Sequence, residues 1–324
     1  MLKIHFLNVG HGDCTIVEFP SGRTSIIDIN NSKIVDEETS NEIASLNTSS
    51  YQLYESLGYR GNELLAKSAI DFVTPVDPIE YIDNNLPVSS IFRFILTHPD
   101  MDHMTGLYNL KNSGKSISNF WDTSNTKTVK ESEVYAKYDF RDWKTYQELK
   151  SSTEAPKVLN VLKGEQRDFF NEDCIKVLSP TKEIIDSANA SNNWNLLSYV
   201  LLIEYAGHKI ILGGDADSVV WDNLAESDQE LLENISILKA PHHGRNSGYS
   251  ESAMSIMKPT WTICSVGKKP SQDAHNKYRK YTEKKVLSTR YRGNMVVEIS
   301  SYGDLKVYCE DNYSVDEELL PLSN

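Results

Sequence analysis

Short apolar, β-branched blocks open the chain. Residues 2–9 (LKIHFLNV), 14–19 (CTIVEF) and 24–29 (TSIIDI) have strand character. Gly10 and Gly12 break the first pair and Pro20-Ser21-Gly22 the second, so the pattern predicts hairpins. Residues 31–90 turn polar, with one helical stretch near 62–71 and prolines at 75, 78 and 87, and read as an insertion. Strand character returns at 91–97 (IFRFILT) and runs into HPDMDH. Residues 111–172 are again mixed and polar, and read as a second insertion. Strands are then expected at 174–178, 198–205, 208–213, 235–239, 260–266, 295–300 and 305–309. Helices are expected at 217–225 and 250–257, and a basic one at about 273–285.

The order β-rich, α, β-rich, α predicts an α/β layered sandwich with helices outside two sheets. One domain over 1–310, with insertions at about 31–90 and 111–172, would leave an acidic, frayed tail at 311–324. The chemically loaded residues fall where strands end, so loops converging at one edge of the sheets would gather them.

Composition narrows the classes. Hydrophobic residues at 39% and charged residues at 24% are ordinary values for a globular protein. No apolar run approaches the roughly 20 residues of a membrane span, and the N-terminus shows no signal-peptide pattern. Four cysteines are too few and scattered for a disulfide scaffold or a cysteine-based zinc site. A cytoplasmic enzyme, not membrane-bound, is the expectation. The net charge of −13 hides an asymmetry. Between Lys268 and Arg292, nine basic residues face only Asp273 and Glu283, which suits an anionic partner.

Three segments point to metal chemistry. Thr97-His98-Pro99-Asp100-Met101-Asp102-His103 places four potential ligands within six residues after an apolar strand. His98 and Asp100 can point one way, and Asp102 and His103 toward a neighbouring position, which suits two cations. In Leu212-Gly213-Gly214-Asp215-Ala216-Asp217, Asp215 reads either as a bridging carboxylate or as a helix N-cap. In Lys239-Ala240-Pro241-His242-His243-Gly244, one histidine of the pair is a ligand candidate. These four histidines are half of the chain's eight. A fourth segment, Val9-Gly10-His11-Gly12-Asp13-Cys14, puts His11 and Asp13 at the expected rim of the site; Asp28 suits an orienting hydrogen-bond acceptor.

LNVGHGD, IIDIN, LTHPDMDHMTGL, LGGDAD, LKAPHHG and TICSVGKK, in that order, resemble the metallo-β-lactamase superfamily, most nearly its ComEC/Rec2-like branch. The likeness spans most of the chain outside the two insertions. It implies an αββα sandwich with a metal site at one edge. His98 and Asp100 would face a first metal; Asp102 and His103 a second, with His242 or His243; Asp215 would bridge. The superfamily usually has histidine where Asp100 stands, and another before the bridging aspartate. Here that stretch is Asn192-Asn193-Trp194-Asn195-Leu196-Leu197-Ser198, with Asn195 a substrate-contact candidate. An oxygen-rich first site shifts preference from zinc toward manganese.

The expected cofactor is therefore two divalent ions, Zn or Mn. The expected reaction is hydrolysis by a metal-bound hydroxide held by Asp102 and Asp215. A phosphodiester is the preferred bond, with nucleic acid as the foremost substrate. Lys268, Lys269, Lys284 and Lys285 would track phosphates, while Tyr278, Tyr281 and Tyr291 could stack bases. His275 is a candidate for phosphate contact or leaving-group protonation. Two other readings stay open. One is a hydrolase of a small ester (a cyclic nucleotide, phosphorylcholine, lactone or thioester). The other is a weakly catalytic subunit of a DNA-processing or defence complex. Lacking channel segments, the chain is not expected to import DNA itself, and the insertions are candidate homodimer or protein contacts.

Overall fold

The computed structural model describes residues 1–31, 52–53, 55–58, 75–86, 88–134, 138–267, 272–310 and 320–321. The helix expected near 62–71, and Lys268 and Lys269, lie outside the described residues.

Alternation of side chains along the strands builds the layers. The first strands are β1 (Leu2–Phe6), β2 (Thr15–Glu18) and β3 (Thr24–Ile27). Helix α1 (Pro78–Asn85) leads into β4 (Ser90–Ile95). Helix α2 (Leu107–Asn112), β5 (Ser116–Trp121), α3 (Phe140–Lys150) and β6 (Lys157–Leu159) follow. The second half runs β7 (Ile175–Ser179), α4 (Lys182–Ser191), β8 (Val200–Tyr205), β9 (His208–Leu212), α5 (Ser218–Ser227) and β10 (Ile235–Lys239). It ends α6 (Glu251–Met257), β11 (Trp261–Cys264), α7 (His275–Tyr281), β12 (Lys285–Ser288), β13 (Met295–Ile299) and β14 (Leu305–Cys309). A two-residue β15 (Leu320–Pro321) pairs with β14; the rest of the acidic tail lies outside the described residues.

Among these residues one sheet has the order β15-β14-β13-β1-β2-β3-β4-β5-β6, the other β12-β11-β10-β9-β8-β7. In β8, Leu201 and Ile203 enter the core between the sheets, while Val200 and Leu202 pack under α5 and α6 with Trp221 and Met254. In β4, Ile95 faces the inter-sheet core and Phe94 the helical layer that holds Leu110, Trp143 and Tyr146. The period of two puts apolar side chains on both faces, as strands covered on each side require. The result is the expected αββα sandwich.

Two local readings change. The basic helix expected over 273–285 is α7, His275–Tyr281 only; Thr282 leaves the helix, and Lys285 begins β12 because Val286 and Leu287 pair with Thr262 and Ile263 of β11. Residues 111–172, read as an insertion, supply β5 and β6, which extend the first sheet in parallel from β4.

β9 to β12 run parallel, so the loops after β9, β10 and β11 leave one edge of their sheet. The loops after β1 and β4, and the turn before β8, meet them there: Asp215 N donates to Ser198 Oγ at 3.1 Å, Asp13 N to Asp102 O at 3.3 Å, and Ser265 Oγ to Gly12 O at 3.1 Å.

Candidate metal centre

The turn after β4 carries the densest chemistry. Thr97 and His98 are buried, and a single 3-10 turn, Met101–His103, delivers His103 to the interior. Asp28, at the end of β3 with a left-handed φ of 57°, fixes this turn. Its Oδ1 accepts from Thr97 N at 2.7 Å, and its Oδ2 accepts from Thr97 Oγ1 at 2.7 Å. The same Oδ2 lies 2.7 Å from His103 Nδ1. Thr97 Oγ1 uses its proton in the hydrogen bond to Asp28, so it accepts from His98 Nδ1 at 3.1 Å. Both imidazoles therefore hold their proton on Nδ1 and turn Nε2 inward.

The loop after β10 does the same from the other side. His243 Nδ1 donates to the carbonyl of Ser265 at 2.9 Å, which leaves Nε2 3.5 Å from Asp102 Oδ2 and 3.4 Å from Asp215 Oδ2. His103 Nε2 is also 3.4 Å from Asp215 Oδ2. His242 and His243 both have left-handed φ, 50° and 56°, a backbone strain of the kind stored at working sites. His242 stands slightly further back: Ser247 Oγ is 2.7 Å from its Nδ1, and its Nε2 is 3.8 Å from Asp215 Oδ2.

The buried Nε2 atoms of His98, His103 and His243, and Asp215 Oδ1, have no hydrogen-bond partner. Stranding four buried polar atoms together is costly unless something satisfies them. His98, His103 and Asp215 bring ligand atoms within 4.8 Å of one another, as do His11, Asp102 and His243, and Asp13, Asp215 and His243. The residues present therefore fit divalent cations. His11 joins Asp102 and His243 more closely than a rim position implied.

The electrostatics agree. Burial pushes Asp215 upward, but His243 and His103 outweigh it and hold the carboxyl well below its usual range. Asp102 is lowered too, against burial, by His243 and His103. Burial lowers His243, yet Asp215, Asp13 and Asp102 raise it to about 10; His103 is raised likewise by Asp215 and Asp28. The clustered carboxylates thus demand positive charge at the centre. One such charge is built in: Lys239, buried at the end of β10, places Nζ 2.5 Å from Asp13 Oδ2. His242 moves the other way, lowered by burial and by neighbouring His243 and Arg245 against Asp215.

The other expected residues spread outward. Asp100 ion-pairs with Lys127, and its Oδ2 is 3.7 Å from His98 Nε2. Asp217, rather than Asp215, is the N-cap of α5, and its Oδ2 accepts from Asn193. Asn195 lies half-buried on the turn before Ser198, the partner of Asp215 N. His275 opens α7; the turn before it bonds the His243 loop through Ala274 N to Gly244 O and Asn246 N to Gln272 O. Lys284 and Lys285 stand at the start of β12, the opposite end of the sheet from the site. Lys284 lies over the Trp261 ring, Lys280 pairs with Glu251, and Arg290 is buried.

Two site residues escaped the sequence reading. Arg245 places Nη2 2.8 Å from His11 Nε2 and Nη1 3.5 Å from His242 Nε2. Its place directly after PHHG was the available signal. Lys127, on the loop after β5, had none, because only the fold brings it to Asp100.

No protein-family model matches the chain, and no curated protein matches it. Solved structures are similar at low identity. Igni18, a metallo hydrolase from the archaeon Ignicoccus hospitalis, is 12% identical over 92% of this chain and 100% of its own, with a TM-score of 0.49. YhfI from Bacillus subtilis, a metallo-β-lactamase fold protein, is 12% identical over 91% and 99%, with a TM-score of 0.45. Yeast PDE1 is 12% identical over 91% and 99%, with a TM-score of 0.43.

Proposed function

We propose that this chain is a metal-dependent phosphodiester hydrolase of the metallo-β-lactamase superfamily. The observation that carries the reading is the inward convergence of three imidazole Nε2 atoms on Asp215, each with its Nδ1 held from behind. His98, His103 and Asp215 would hold one divalent ion; Asp102 and His243 would hold a second, with Asp215 shared. Manganese or zinc suits a set of imidazoles and carboxylates. When bound, such ions supply Lewis acidity toward a phosphoryl oxygen and lower the pKa of water.

The chain's own groups do the rest. Asp102 and Asp215 orient the attacking water. Arg245 and Lys127 flank the cluster with positive charge, which favours an anionic ester over a neutral lactone. His275, on the turn bonded to the His243 loop, would protonate the leaving oxygen. The remote position of Lys284 and Lys285 favours a compact diester over a long nucleic-acid track.

The test is turnover by metal-loaded protein of bis(p-nitrophenyl) phosphate and of labelled DNA and RNA, with Mn²⁺ or Zn²⁺ and an Asp102→Ala control. Hydrolysis lost in the control supports the reading. Stoichiometric metal with no cleavage of any diester overturns it.

A further inference from the structure

A lysine lies in a row of apolar side chains. β10 is an inner strand of its sheet, and its side chains alternate: Ile237 enters the core between the sheets, and Leu238 packs under the helices. The same period turns Lys239 toward the inter-sheet side. Its register neighbours are Leu212 of β9 and Ile263 of β11, both in that core. Lys239 is 3% exposed. Its ammonium leaves the apolar row for the loop after β1, where Nζ donates to Asp13 Oδ2 at 2.5 Å.

Asp13 is 1% exposed and stands behind the metal centre. Its Oδ2 is 3.9 Å from His103 Nδ1, and its Oδ1 is 3.8 Å from His243 Nδ1. Those nitrogens are committed to Asp28 and to the Ser265 carbonyl, so Asp13 orients neither ring. Asp13 Oδ1 has no hydrogen-bond partner. Asp13 nevertheless belongs to two ligand-like groups, one with Asp215 and His243, the other with Asp28 and His103, each with its ligand atoms within 4.8 Å of one another. These groups mark a third place for a cation, beside the sets built on His98 and on His11. A buried carboxylate needs a counter-charge. A buried ion pair adds little over apolar side chains of the same size, so stability alone does not account for a lysine in this row.

We propose that Lys239 is a resident cation: its ammonium, held by Asp13, fills the third position in place of a metal ion. It balances the Asp13 carboxylate beside two imidazoles and keeps that carboxylate from drawing a further ion into the centre. Lys239 and Asp13 are positioning residues. They tether the loop after β1 to β10 and set the charge that bound metals meet. The inference rests on the reading that the cluster holds divalent ions.

The experiment counts Mn²⁺ bound per chain, by elemental analysis after gel filtration, and measures its affinity by chelator competition. Lys239→Ala removes the ammonium and leaves room for an ion and its water, so it should bind one more Mn²⁺ per chain than the parent. Asp13→Asn combined with Lys239→Ala removes the pair together and should return the count to that of the parent. Asp13→Asn alone leaves the ammonium uncompensated beside the ions. Mn²⁺ affinity should then fall at least about tenfold, the size of one like-charge contact at short range in a partly shielded interior. A lysine that only supported the fold would shift the urea midpoint and leave the Mn²⁺ count unchanged. If Lys239→Ala does not fold, Asp13→Asn decides. The proposal fails if Lys239→Ala binds the parent's number of ions, if the additional ion persists in the double variant, or if Asp13→Asn binds Mn²⁺ as tightly as the parent. A parent chain that binds neither Mn²⁺ nor Zn²⁺ would overturn the reading of the cluster itself, and this proposal with it.

Discussion

Asp28 Oδ2 lies 2.7 Å from His103 Nδ1 and 2.7 Å from Thr97 Oγ1, so one carboxylate oxygen orients two imidazoles, His103 directly and His98 through the threonine. Asp28→Asn replaces one acceptor oxygen by an amide donor that repels the Nδ1–H. Metal affinity should fall about 10- to 100-fold, and the metal-free fold should lose about 1–3 kcal/mol because a buried donor then faces donors. Chelator competition reads the first quantity and calorimetry the second. Unchanged affinity would remove Asp28 from the site.

The two adjacent histidines should behave differently. His243 presents Nε2 to Asp102 and Asp215 with Nδ1 fixed on Ser265, whereas His242 is held by Ser247. His243→Ala should lower diester turnover by at least about 100-fold, and His242→Ala by less than about tenfold, on the scale of lost electrostatic stabilisation. Equal losses would contradict this assignment.

Gly12 tests how closely the loops must approach. A Cβ built there would sit 2.5 Å from Asp102 O and 2.5 Å from the Asn30 side chain, with φ at 150°. Gly12→Ala should therefore destabilise the fold by about 1–3 kcal/mol, a typical overpacking cost, and loosen the turn that carries Asp102. A urea midpoint and metal affinity both matching the parent would refute the close approach.

Stability should depend on pH through Asp142, in α3. Burial raises its carboxyl to about 6, despite hydrogen bonds from the Tyr108 and Gly106 backbone, from an ordinary value of 3.8. The folded state then binds more protons than the unfolded one between those values. This contribution is fully present below pH 3.8 and is lost as pH rises through about 6. The loss amounts to about 3 kcal/mol at most. Asp142→Asn should flatten the decline between pH 4 and pH 7 in denaturant titrations; an identical slope would exclude it.

Reversing the charges of Lys284 and Lys285 separates small from large substrates. Both lie at the end of β12 away from the metal centre, so turnover of a small diester should be unchanged. Any nucleic-acid affinity should weaken and show a shallower salt dependence. A fall in small-diester turnover would show that the site reaches further than its geometry indicates.

Much of the fold was legible because strand alternation and turn residues act locally. Val9-Gly10-His11-Gly12, the HPDMDH loop and PHHG all sit at strand ends where the periodicity places them. The basic helix was overestimated because charge pattern alone does not reveal that Val286 and Leu287 complete a buried sheet edge. Likewise the polar stretch holding β5 and β6 looked like an insertion: β5 fully buries only Phe120 and Trp121, and β6 is a three-residue edge strand, so the alternating signal is weak.

The sequence by itself determined the kinds of ligand, their order along the chain and their delivery at strand ends, since these follow from local pattern. Only the tertiary structure decided which atoms turn inward. His243 comes closer than His242 to Asp215, His11 stands beside Asp102, Lys127 meets Asp100, and Arg245 closes on His11. Those choices depend on contacts between segments as much as 234 residues apart, made when the two sheets close over a common core.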